Sequence, residues 1–142
     1  MSVWKTKAHK KLKPWGGETQ FGSPFGMSGK IISLQANKRT SLKYYKTKNQ
    51  LMYCLSGRVS IFAPNEREFG DIHADEGNYF ELVEGDIILI QAANPYRIRA
   101  LENSKLVEVI VGHQGYPEKD FIMLEDDFGR NIEKVESFEP NN

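Results

Sequence analysis

The stretch Ser41-Leu42-Lys43-Tyr44-Tyr45-Lys46-Thr47-Lys48-Asn49-Gln50-Leu51-Met52-Tyr53-Cys54-Leu55-Ser56-Gly57 decides how this chain is read. Leu51 to Leu55 has the composition of a strand, and Val59-Ser60-Ile61-Phe62 follows within four residues. Between them Ser56-Gly57-Arg58 supplies a residue free to take positive φ, so the spacing predicts a short hairpin connection. Side chains alternate across a strand, so if Gln50 points inward, Met52 and Cys54 point inward with it.

Strand signals continue on both sides. Lys30-Ile31-Ile32-Ser33-Leu34-Gln35 ends at the turn-forming Asn37-Lys38. Tyr79 to Val83 runs into Glu84-Gly85-Asp86, and Ile87 to Ile90 follows. Tyr96 to Ala100 and Leu106 to Val111 complete a set of short strands separated by turns, which predicts an all-β sandwich or small barrel. Pro64 to Gly77 is polar and reads as a long hairpin loop. Asp120 to Leu124 reads as a helical turn, followed by a return segment and a frayed end. The expected organisation is an N-terminal arm over 1–29 packing on the barrel, a barrel over 30–115, and a helical or extended C-terminal extension over 116–142. The arm carries Trp4, Trp15, Phe21 and Phe25 and is too apolar to float free, so it is expected to cover the barrel or cross to a second subunit; its glycine-rich part, 16–29, could form a lid over the mouth.

Composition narrows the function classes. At 142 residues, 39% apolar and 27% charged, the chain has the make-up of one soluble globular domain. Lys+Arg and Asp+Glu stand at 19 each, so no overall field favours nucleic acid or an anionic membrane, although lysines crowd the first fifty residues. The lone cysteine fits a reducing compartment, and no apolar run approaches the roughly 20 residues needed to span a bilayer. The start lacks the apolar stretch of a signal peptide, so a cytoplasmic location is expected. His9, His73 and His113 do not pair at ligand spacing.

The 41–57 stretch resembles the first signature motif of the cupin superfamily, whose strand pair carries a His-x-His and a Glu to a metal. Other pieces resemble the cupin (isomerase) domain of type II mannose-6-phosphate isomerases, often fused to a GDP-mannose pyrophosphorylase. These are Lys13-Pro14-Trp15-Gly16, Lys30 at the head of the first core strand, Ser41-Leu42, Glu84-Gly85-Asp86 before Ile90, Glu118 to Ile122, and Glu125 to Arg130. They run in the family's order over about 13–130. The resemblance implies a cupin double-stranded β-helix, a jelly-roll barrel, and a homodimer by fold analogy.

The same resemblance places the four metal-ligand positions at Lys43, Tyr45, Gln50 and Tyr96, none of which is a histidine or a carboxylate. A lysine ammonium has no lone pair to offer and repels a cation, so no metal and no cofactor are expected. Lys43 and Tyr45 on one strand and Tyr96 on another would share the lumen with Gln50, Met52 and Cys54.

Two kinds of function fit such a lumen. In one, Lys43, Tyr45 and Tyr96 act as acid and base in isomerising or epimerising a sugar phosphate or nucleotide sugar, or the pocket only recognises such a ligand through Gln50, Met52, Lys30 and Arg130. In the other, the two tyrosines fill the space of the missing ion in a satisfied polar network, and the protein is a catalytically inert structural, assembly or regulatory module. In that case Arg97 and Arg99 alternate out to solvent, Arg130 pairs with Glu125 to Asp127, and Cys54 is a small buried hydrophobe. The expected partners are a small-molecule sugar or sugar phosphate and a second copy of the chain, with no nucleic acid and no membrane.

Overall fold

Twelve strands and no helix make up the described part of a computed structural model, which covers residues 3–23, 26–65, 76–112, 121–125 and 135–136. The strands are β1 (His9–Lys13), β2 (Gly16–Gly22), β3 (Ser28–Leu34), β4 (Leu42–Tyr45), β5 (Lys48–Ser56), β6 (Arg58–Pro64), β7 (Gly77–Val83), β8 (Ile87–Ile90), β9 (Arg97–Ala100), β10 (Ser104–Gly112), β11 (Phe121–Glu125) and β12 (Val135–Glu136). One wall is a six-stranded sheet in the order β1-β2-β3-β10-β5-β8. Two three-stranded sheets, β12-β11-β4 and β7-β6-β9, form the other, linked by isolated bridges at Lys43–Tyr96 and Arg39–Arg99. All ladders are antiparallel.

Alternation decides what enters the space between the walls. Along β5 every second residue from Lys48 to Cys54 is buried and the residues between are exposed. Met52, Cys54, Val59, Ile61, Leu82, Ile98, Ala100 and Leu106 form the apolar core, closed at one side by Trp15, Ile32 and Leu34. Apolar burial at both inner faces is the main force holding two such sheets together. Among the described residues no helix is long and apolar enough to cross a membrane.

The structure departs from the sequence reading in four places. First, β5 and β6 are not a hairpin: β5 pairs with β10 and β8, whereas β6 pairs with β7 and β9. Gly57, at φ 85°, turns the chain from one wall to the other, and a Cβ there would overlap Ser104 Oγ and the carbonyl oxygen of Asn103. Second, the glycine-rich stretch supplies β2, paired along its length with β3, so residues 16–22 are wall and not lid. Third, residues 121–125 form a strand against β4 where a helical turn was expected at 120–124, because that edge offers a ladder that local propensity does not reveal. Fourth, Arg97 is buried and its Nε donates to the carbonyl oxygen of Thr40 at 2.8 Å, so only Arg99 of that pair faces solvent. The loop over 66–75, with His73, lies outside the described residues, but its ends pair as a hairpin requires, Pro64 opposite Gly77.

Candidate functional site

Charge enters the barrel through the middle of the six-stranded sheet. On β10 the inward residues are Leu106, Glu108 and Ile110. Leu106 faces Cys54 and Ile32 and belongs to the apolar core. Two residues on, Glu108 faces Met52 on β5 and Lys30 on β3, and Lys30 faces Gln20 on β2. Register alone therefore lines up a carboxylate, an ammonium and an amide across three strands, at the separation where cross-strand side chains interact.

The polar groups close into one network. Lys30 Nζ lies 3.4 Å from Glu18 Oε2 and 3.6 Å from Glu108 Oε1. Gln20 Nε2 donates to Glu18 Oε1 at 2.8 Å. Gln50 Nε2 donates to Glu108 Oε2 and, at 2.6 Å, to the hydroxyl of Tyr96. The Lys43 ammonium sits 4.8 Å from the centre of the Tyr96 ring, a cation–π contact set by the backbone pairing of residues 43 and 96. Tyr45 is buried beside them. Glu108 is wholly buried; its Oε1 accepts no hydrogen bond among the described residues and relies on the charge of Lys30.

The charge states follow from these neighbours. Burial alone would raise the Glu18 carboxyl, but Lys30, Lys13, the Gln20 hydrogen bond and Lys43 hold it down at about 2. Burial would lower the Lys30 ammonium, yet Glu18, Tyr45 and Glu108 keep it well above the ordinary lysine value. Burial, then Glu108 and Tyr45, push the Tyr96 phenol well above the ordinary tyrosine value, against the opposing effects of Lys30 and Gln50. Near neutral pH Glu18 is an anion, Lys30 a cation and Tyr96 an intact phenol.

Lys30, Lys43, Tyr45, Gln50 and Tyr96 thus come together. Met52 is fully buried in the apolar core beside the network, and Arg130 lies outside the described residues. Sequence reasoning missed Glu18, Gln20 and Glu108. Glu108 had a signal: it shares the inward parity of Leu106 and Ile110, between outward Val107 and Val109. Glu18 had none once its segment was read as a lid. Cys54 is fully buried, and burial together with Asp86 and Glu84 raises its thiol, as for an inert core residue.

Solved structures show what this architecture is. Oxalate decarboxylase from Bacillus subtilis superposes with a TM-score of 0.66 at 18% identity, over 82% of this chain and 30% of that one. CapF, solved with the inhibitor 3-isopropenyl-tropolone, superposes with a TM-score of 0.67 at 16% identity, over 86% of this chain and 36% of that one. The fold is a cupin barrel. KdgF from Halomonas sp. matches with a TM-score of 0.55 at 12% identity, over 69% of this chain and 79% of that one. The chain spans about a third of the length of the first two, and at these identities the likeness speaks for the fold alone. No family model matches the chain, and no curated protein does.

The resemblance to cupins raises the matter of a metal, and the donors present do not fit one. The four implied ligand positions offer an ammonium, an amide and two phenols. Both nearby carboxylates are already paired with Lys30, whose charge opposes a second cation. Among the described residues no group of three or more His, Cys, Asp or Glu side chains is arranged to hold an ion.

Proposed function

We propose that this cupin is a metal-independent recognition domain for a carbohydrate bearing an anionic group, a sugar phosphate or nucleotide sugar, bound at the mouth where the Lys30 network reaches the surface. One observation supports this most: Lys30, Lys13 and Lys43 all act electrostatically on Glu18, so several ammonium groups gather at one place in the barrel, with Lys43 over the Tyr96 ring. Lysines attract phosphate as point charges, and carboxylates and amides such as Glu18, Gln20 and Gln50 bond sugar hydroxyls. The resemblance to the mannose-6-phosphate isomerase cupin domain favours the same ligand class.

Recognition is favoured over isomerisation or epimerisation on chemical grounds. Proton transfer works best with a group whose pKa lies near the working pH. Glu18 is held far below that range, and Lys30 and Tyr96 far above it. The reading is tested by calorimetric titration of the full chain with a hexose 6-phosphate, the parent hexose and a nucleoside-diphosphate sugar. We expect binding of a phosphorylated ligand, none of the bare hexose, and loss of at least ten-fold in affinity in Lys43→Met. Saturable turnover of the ligand into an isomer would replace recognition with catalysis.

A second reading is favoured by the burial of Gln50, Glu108 and Tyr96, which bond to one another as a structural network would. It is the inert module of assembly or regulation. It predicts no binding of any of the three ligands, together with stability losses in variants of the network.

A further inference from the structure

Two hydrogen-bonding groups of the inner network lack a counterpart among the described residues. Gln50 Nε2 faces both Glu108 Oε2 and the Tyr96 hydroxyl. The carboxylate fixes which way the amide points, since turning it over would set two acceptor oxygens against each other. Tyr96 therefore accepts from Gln50, and its own proton meets no acceptor among the described residues. The other oxygen of Glu108, Oε1, is wholly buried and receives no hydrogen bond, and Lys30 Nζ stands 3.6 Å away, beyond ordinary hydrogen-bond length. Buried polar atoms are rarely left so, because each costs much of its hydration without return.

Register connects this oxygen with the surface. Gln20, Lys30 and Glu108 stand opposite one another on β2, β3 and β10. Along that row burial falls from the wholly buried Glu108 to Lys30, 15% exposed, and half-buried Gln20. We propose that Glu108 is the residue by which this site reads a sugar hydroxyl: the hydroxyl donates to Oε1, and it or its neighbour on the ring accepts the proton of Tyr96. A hydroxyl supplies both counterparts, whereas an ether oxygen, a carboxylate or an ammonium supplies only one. The long stem of Lys30 lets its ammonium turn towards an incoming phosphate and uncover Oε1, so the anionic group and the hydroxyl are recognised together. None of the four ligand positions implied by the resemblance to cupins falls at residue 108. The inference rests on the recognition reading above and adds the group that is read.

The test is calorimetric titration of the full chain with glucose 6-phosphate, mannose 6-phosphate and a nucleoside-diphosphate glucose, each beside its monodeoxy analogues. The quantity read is the ratio of dissociation constants, analogue over parent. In the wild type one analogue is expected to bind at least about 10-fold more weakly, as for the loss of a hydrogen bond to a charged group. For that analogue the ratio should fall several-fold in Glu108→Met, and less in Glu108→Gln, whose amide can still meet a hydroxyl. A residue that only supports the fold would weaken parent and analogue alike and leave the ratio unchanged. Circular dichroism checks folding; if both Glu108 variants unfold, Tyr96→Phe takes their place and should lower the same ratio. An unchanged ratio in the folded variants overturns the proposal. So does a wild type that binds a phosphorylated parent and all its analogues equally. If no phosphorylated parent binds, the recognition reading itself falls and this inference falls with it.

Discussion

Gln50 and Tyr96 stand 46 residues apart in sequence and share a buried 2.6 Å hydrogen bond, the Gln50 amide donating to the Tyr96 hydroxyl. The resemblance to cupins implies metal ligands at both positions, and here the two side chains serve each other. The same amide nitrogen also donates to Glu108, so Gln50 is the joint of the network and Tyr96 one of its ends.

That asymmetry fixes an order of stability losses. Tyr96→Phe removes one acceptor from an amide that keeps Glu108, and should cost about 1 kcal/mol. Gln50→Leu strips a buried carboxylate of its donor and should cost about 3 kcal/mol. Urea unfolding of both variants checks the order; a larger loss in Tyr96→Phe would mean that Tyr96 and not Gln50 anchors the network.

Lys30→Met should be worse. It takes the ammonium from the wholly buried Glu108 and leaves Glu18 only Lys13 and Lys43, and breaking a buried pair in this way typically costs about 3–5 kcal/mol. Urea unfolding of the variant beside the wild type reads the difference, and a loss below about 1 kcal/mol would mean that the ammonium does not hold the network together.

Glu18 gives the wild-type protein an acid-sensitive component of stability. Its folded pKa, about 2, lies below the ordinary value of 4.5, so the unfolded chain binds the proton first as pH falls. The stabilisation is complete above pH 4.5 and is lost on descending towards pH 2, amounting to about 3 kcal/mol over that window. Glu18→Gln should flatten the pH dependence of unfolding free energy there; an unchanged slope would assign acid sensitivity to other groups.

Two glycines with similar φ should behave differently. At Gly57 (φ 85°) a methyl group meets Ser104, whose hydroxyl is tied to the amide of Arg58 at 2.9 Å and the carbonyl of Glu102 at 2.7 Å, whereas at Gly85 (φ 94°) nothing lies within 4 Å. Gly85→Ala should cost about 1 kcal/mol of backbone strain and Gly57→Ala about 3 kcal/mol or more, read as a difference in thermal midpoint.

The sequence was legible where local pattern and global fold agree. The alternation along β5 told that Gln50, Met52 and Cys54 share one side, and the resemblance to cupins implied that Lys43, Tyr45 and Tyr96 join Gln50 there. It was illegible where a residue's role depends on a strand far away. A glycine between two apolar runs reads the same whether the chain folds back or crosses to another sheet, and only the packing of Gly57 on Ser104 separates the two. Glu18 and Glu108 look like ordinary surface carboxylates until Lys30 is placed between them. Arg97 likewise reads as solvent-facing, because nothing local announces the Thr40 carbonyl that receives it.

The position of β10 has a consequence for how the protein is made. It lies between β3 and β5, so the two halves of the large sheet share no ladder until residues 104–112 exist. During synthesis β1, β2 and β3 can associate as they emerge, and β5 can pair with β8, but the two groups must wait for β10, encoded some fifty residues after β5, to be joined. Such long-range closure slows folding and leaves the Leu51–Tyr53 edge open meanwhile, the interval in which this chain is most exposed to wrong pairing.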